Sequence, residues 1–148
     1  MRPACWAAGL AVLLLLAGCG RSDGEKFRED SLRPLQQRLD RERARVAATL
    51  RVVRPGNARD ARALREDVAA LRATVGRVAG LVPPGDARED FDAYVRALRG
   101  LVGELRAFDG PLRRGDAALL DAVARRVQDA TGLVQERAED LERRLLAV

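Results

Sequence analysis

Histidine is absent from this chain of 148 residues, and its only cysteines are Cys5 and Cys19. Beyond residue 19 there is no Cys, Met or Trp, serine occurs only at Ser22 and Ser31, and lysine only at Lys26. Each absence removes a chemistry. A hydrolase triad lacks its base, zinc lacks its preferred ligands, and a di-metal bundle lacks its Glu-x-x-His motifs. Only Tyr94 is left as a haem ligand, and no disulfide can form. A site built from Asp and Glu alone remains chemically open, but nothing in the spacing picks out a pair. The expectation is therefore a chain without enzyme activity, cofactor or metal, whose stability rests on packing.

Long apolar runs are also missing. The longest, Trp6 to Ala17, holds about a dozen residues, whereas a spanning helix needs about 20. Arg2 precedes the run, Leu13-Leu14-Leu15-Leu16 stands near its end, and small residues close it, the order of an export signal. With Leu16 at −3, Ala17 at −2, Gly18 at −1 and Cys19 at +1, the segment resembles the signal peptides of bacterial lipoproteins. That resemblance implies cleavage before Cys19 and lipid attachment to its sulfur. Two or three acyl chains, at roughly 0.8 kcal/mol per buried methylene, make an effectively permanent anchor. The location implied is extracytoplasmic, lipid-anchored in the cell membrane or the outer membrane. Gly20 rather than Asp follows the cysteine, so the familiar inner-membrane retention signal is absent.

Charge is abundant but interleaved. The chain carries 26 Arg and a single Lys against 22 acids, a net +5, an arginine excess that first reflects GC-rich codon usage. Residues 19–53 and 54–82 each carry +3, residues 83–114 balance, and residues 115–148 carry −2. A cationic N-terminal half suggests contact with anionic headgroups beside the anchor. Solvated helix faces with complementary charge between neighbouring helices explain it better. No basic run of five exists and no aromatic platform accompanies the arginines, so nucleic acid is not an expected partner.

Apolar residues recur at three- and four-residue steps throughout, and no segment alternates with the period of two that a strand requires. Four stripes emerge. Leu32, Leu35, Leu39, Val46, Leu50 and Val53 form the first, interrupted by Glu42; Leu64, Val68, Leu71, Val75, Val78 and Leu81 or Val82 form the second. Phe91, Tyr94, Leu98, Leu101, Leu105 and Phe108, widened by Val95 and Val102, form the third. The fourth runs Leu120, Val123, Val127, Ala130, Val134, Ala138, Leu141 and Leu145.

Punctuation between the stripes fits helix ends. Arg54-Pro55-Gly56-Asn57 ends the first helix and offers Asn57 as the next cap. Pro83-Pro84-Gly85-Asp86 offers Asp86, and Gly115-Asp116 pairs a C-terminal glycine with an N-cap acid. Ser22-x-x-Glu25 has the form of a capping box. Pro34 then either kinks a helix begun near Asp23 or lies in the first turn of one begun at Ser31. Gly110-Pro111 either kinks or ends the third helix.

The expected fold is all-α, an antiparallel up-down-up-down four-helix bundle, with a three-helix core and a loose first helix as runner-up. Its divisions are a signal peptide (1–18), a lipidated tether (19–24) and a bundle domain (25–148) with helices near 25–53, 58–82, 87–113 and 117–146. On the last helix, Asp121 with Arg125, Glu139 with Arg143 and Asp140 with Arg144 have the spacing of supporting ion pairs.

The stretch from Pro83-Pro84 through Phe91, Tyr94 and Leu98 to Arg114-Gly115-Asp116 resembles small Arg- and Ala-rich helical lipoproteins of GC-rich bacteria. That set is defined by pattern and implies no catalytic residues. Three groups merit inspection for binding. These are the acids Glu89, Asp90 and Asp92 for a cation, the aromatics Phe91, Tyr94 and Phe108 for a pocket, and Gly76, Gly80, Gly100 and Gly103 for close helix approach. Cys19 is the one residue to which a function is assigned, as the lipid attachment point. The functional expectation is a non-catalytic, membrane-anchored helical module offering a structural or interaction surface to an envelope protein, or else an extracytoplasmic ligand-binding or sensing bundle.

Overall fold

A computed structural model describes residues 21–147. Over these residues the chain is all-α: α1 (Asp23–Lys26), a π-helical turn (Phe27–Leu32), α2 (Arg33–Val52), α3 (Ala58–Ala79), a 3-10 turn (Gly85–Ala87), α4 (Arg88–Arg106), α5 (Asp109–Arg114) and α6 (Ala117–Leu146). Four antiparallel rods result, the first being α1 through α2 and the third α4 with α5. Both of these are bent.

The first rod starts where the capping box placed it. Ser22 Oγ accepts from the Glu25 N–H (3.1 Å), while Glu25 Oε2 accepts from the Ser22 N–H (3.3 Å). The helix thus begins at Asp23, two residues before the boundary expected at 25. Pro34 explains the π turn that follows. An interior proline has no N–H for the carbonyl four residues back, and its ring presses on that carbonyl. Widening the turn relieves both, and the Arg33 N–H reaches back five residues to the carbonyl of Arg28. There is a packing consequence: in an α-helix Phe27 and Leu32 would sit about 1.4 turns apart, on different faces. In the π turn both are buried. Phe27 then meets Phe91 of α4 edge to face, with ring centroids 5.7 Å apart, so the first rod belongs to the core and the three-helix alternative is set aside.

Capping at the other turns divides. Asn57 Oδ1 accepts from the N–H groups of Arg59 and Asp60 (3.0 and 3.2 Å), and Asp116 Oδ1 from that of Leu119 (3.1 Å). Gly115 takes the left-handed conformation at φ 72° that ends α5. Asp86, expected as a cap, lies inside the 3-10 turn, and α4 starts after Ala87 with no side-chain cap. The Pro83-Pro84 pair delays the helix, since a residue before proline is held out of the helical region. The third helix breaks at Ala107–Phe108, ahead of Gly110-Pro111, and both of those residues lie in the first turn of α5.

Successive rods pack side by side: α2 on α3, α3 on α4, and α4 extensively on α6. The ring closes at one end, where α1 meets the C-terminal part of α6. There Gly24 is buried; a Cβ on it would strike the carbonyl oxygen of Leu145 and lie 3.2 Å from its carbonyl carbon. Arg28 reaches Glu142 across the same joint (3.6 Å). The third stripe is buried in full, including Val95 and Val102, and the second from Leu64 to Val78, whereas Val82 is 77% exposed. The fourth buries Val123, Val134, Leu141 and Leu145 and leaves Leu120, Val127, Ala130 and Ala138 packed at its margin.

Glu42, the polar interruption in the first stripe, is buried at the α2–α3 seam. Its Oε1 accepts from Arg38 Nε and from Thr74 Oγ1, each at 3.0 Å, and its Oε2 has no partner. One heptad along, Thr49 Oγ1 donates to Asp67 Oδ2 (2.6 Å). In both pairs the residue numbers add to the same value, as a single antiparallel register requires, and the hydroxyl and carboxylate have changed helices. The two bonds pin the register that the apolar layers alone leave free to slide.

Candidate functional site

Cys19 and the residues Leu16, Ala17 and Gly18 lie outside the described residues. The capped start of the first rod, however, stands only a few residues from that cysteine in sequence. Because α2 and α3 each run the length of the bundle, the positive charge of the N-terminal half is spread along two rods. Lys26 and Arg54 lie at opposite ends of the first rod.

The acidic group does not converge. Glu89 and Asp90 stand in the first turn of α4, where the helix dipole favours acids. Asp90 accepts from Arg144 Nε of α6 (3.0 Å), and among the described residues no group of three possible ligands is positioned to hold a metal ion. That cross-helix partner also overturns the expected pairing on α6. Arg144 leaves Asp140, which instead meets Arg137 (3.1 Å) and Arg143 (2.5 Å), and Glu139 accepts from Gln135 (3.1 Å). Asp121 and Arg125 form no ion pair among the described residues. A tertiary partner held by two packed helices outcompetes a mobile neighbour on the same face.

The aromatics fill the core. Phe91, Tyr94 and Phe108 are all buried, and none of the three lines a concavity described below. Burial pushes the Tyr94 hydroxyl up to about 12, with Gln36, Asp40 and Arg43 as smaller influences. The glycines do not mediate close approach either. A Cβ on Gly76, Gly100 or Gly103 would meet nothing within 4 Å, and Gly80 ends α3. Gly24, which does require the absence of a side chain, carries no signal beyond its place in a capping box.

Sequence periodicity gave no sign of one concavity among the described residues. It is a trough of about 540 Å³ along the outer seam of α3 and α4. Where α4 stops at Arg106 and the chain turns into α5, α3 loses a close companion. Ala61, Ala69 and Ala73 are too small to fill the gap. Leu64, Val68 and Leu105 form the apolar floor, with Arg65, Arg72 and Arg106 at the rim. Arg65 is held by Asp109 (3.0 Å), which also takes Arg113 (3.1 Å). Arg72 and Arg106 form no ion pair among the described residues. A neighbouring depression of about 340 Å³ shares Arg72 and Arg106 and adds Arg99. On the opposite side, α2 and α6 stand apart over a groove of about 310 Å³ that also reaches Leu105. No protein-family model, curated protein or solved structure matches the chain. Among the described residues no helix is long and apolar enough to cross a membrane.

Proposed function

We propose that the chain is a non-catalytic helical lipoprotein of the cell envelope, anchored through Cys19 and carrying its bundle as a structural or protein-interaction surface. Two features support this reading: the lipobox order Leu16-Ala17-Gly18-Cys19, and the capped helix start at Asp23 that follows it after a very short tether. The latter carries the mechanical part. The first turn of the bundle is clasped to the last turns of α6 through Gly24 and Arg28, so a lipid on Cys19 grips both chain ends of the domain together. The 30 residues of α6 rise about 45 Å at 1.5 Å per residue. If the bundle stands on that end, the turns at 53–57 and 115–116 are its most distant points from the membrane.

Metabolic labelling with a fatty acid tests the anchor. The parent chain incorporates label and runs at the processed size, while Cys19→Ala loses the label and runs as a longer chain. Persistence of label in Cys19→Ala overturns the assignment.

A further inference from the structure

The trough between α3 and α4 combines two properties, which the smaller depression beside it, lined by Val75, Val102, Arg72, Arg99 and Arg106, continues. Its floor is core-grade hydrocarbon: Leu64, Val68 and Leu105 are each at most 4% exposed as residues, yet each contributes to the lining. Its rim is cationic, and Arg72 and Arg106 spend no charge on an acid of the described chain. The α2–α6 groove, by contrast, has Asp40 beside Arg43, and the depression at the α6 end sets Asp90 and Asp140 beside its arginines. From Ala61 to Ala73 the trough extends about 18 Å along α3 at 1.5 Å per residue. A volume of about 540 Å³ lies within the range of roughly 300–1,000 Å³ typical of small-molecule sites.

We propose that this trough binds a single-chain anionic amphiphile, a long-chain carboxylate or a lysophospholipid, with the acyl tail along Leu64, Val68 and Leu105 and the headgroup between Arg72 and Arg106. Charge complementarity selects the headgroup. Guanidinium presents paired N–H donors in the geometry that carboxylate and phosphate oxygens accept, and two such groups flank one opening. The narrowness of the seam selects a single chain. Packed helices lie about 8–10 Å apart, which leaves a furrow suited to one hydrocarbon tail rather than to a helix of about 10–12 Å diameter. Asp109 has a defined part: by pairing with Arg65 and Arg113 it offsets one of their two charges, makes one end of the trough less cationic and leaves the Arg72–Arg106 pair as the anion position. The proposal goes beyond the anchored-module reading and does not require it.

The test is photolabelling of the purified full-length protein in a neutral detergent, using a long-chain fatty acid with a photoreactive group in the tail and the matching alcohol as a control. The acid is expected to label segments 61–73 and 102–109 saturably, with displacement by unlabelled fatty acid or lysophosphatidate, whichever is the better ligand. The alcohol labels them about tenfold less, the size expected for losing one charge-assisted contact. In Arg72→Glu/Arg106→Glu, acid labelling falls at least about tenfold on the same scale while the melting temperature stays near that of the parent, because both side chains are exposed. Arg72→Lys/Arg106→Lys restores part of it. Equal labelling by the alcohol, label spread without saturation, or full acid labelling of the Glu variant overturns the proposal. Absence of label from both segments also overturns it, and leaves an acidic protein surface as the occupant the arginine rim would fit.

Discussion

Replacing Glu42 and Thr74, singly and together, separates what their pair contributes to stability from what it contributes to register. Thr74 is 1% exposed and Glu42 8%, so neither side chain has water to fall back on. In Thr74→Val the carboxylate keeps only Arg38 on one oxygen while the other remains unpartnered. The expected loss is about 1–3 kcal/mol, the range for stripping a partner from a buried charged group. Glu42→Leu removes the buried charge, frees the half-exposed Arg38 to water and adds apolar contact. Thr74 then turns its hydroxyl to a carbonyl in its own helix, and the net change is near zero. In the double variant both orphaned groups are gone, and a gain of about 1–3 kcal/mol is expected, as when apolar residues replace a buried charged pair. The coupling between the two sites should therefore exceed about 1 kcal/mol. Urea unfolding followed by far-UV circular dichroism gives all four free energies. A double variant clearly less stable than the parent would refute this reasoning, because the polar layer would then be a net source of stability. Register is checked separately: a disulfide between cysteines introduced at positions flanking the seam should form in one register in the parent and in more than one in the double variant.

Two further outcomes follow from the ends and the core. In Gly24→Ala, about 1 kcal/mol of helix propensity is set against a Cβ driven into the Leu145 carbonyl. Backbone on both sides cannot yield, so a net loss of about 1–2 kcal/mol is expected, with faster amide exchange in α1 and the last turn of α6; an equally stable variant with unchanged exchange would show that the close approach is absent. Tyr94 fixes the alkaline limit. Its folded-state hydroxyl, raised to about 12, holds a proton that the unfolded chain releases near 10. Its contribution is therefore intact below about pH 10 and is lost as the pH rises through about 12, a change of order 2–3 kcal/mol. Tyr94 is the chain's single tyrosine, so phenolate absorbance during a pH titration reads it directly. Ionisation near 10 in the folded protein would contradict its burial.

Helix positions were legible because burial of one face imposes a 3.6-residue period on the sequence, and each stripe from residues 64 to 108 keeps that period strictly. The punctuation at Asn57, Gly115 and Asp116 was legible for the same local reason, since a cap is a bond between residues three apart. Phe27 was not. It falls out of the stripe that begins at Leu32 because the period itself changes at the π turn, and that change depends on Pro34 being carried inside a long helix. Asp86 has the composition of a cap, but its position after two prolines put it in a 3-10 turn. The trough escaped notice because it is a gap, produced by where α4 ends relative to α3, and a stripe of residues does not record the space between two helices.

The sequence by itself determined an all-α chain, the lengths and antiparallel order of its four rods, and the absence of histidine and cysteine side chains from the residues beyond Cys19. These are matters of residue type and local spacing. Tertiary structure decided which polar groups share a layer, which glycine has no room for a side chain, which acid takes Arg144, and that Arg72 and Arg106 border an apolar trough without an acid to pair them. Each of these depends on residues far apart in the chain meeting at one distance, and periodicity along a single helix carries no information about that distance.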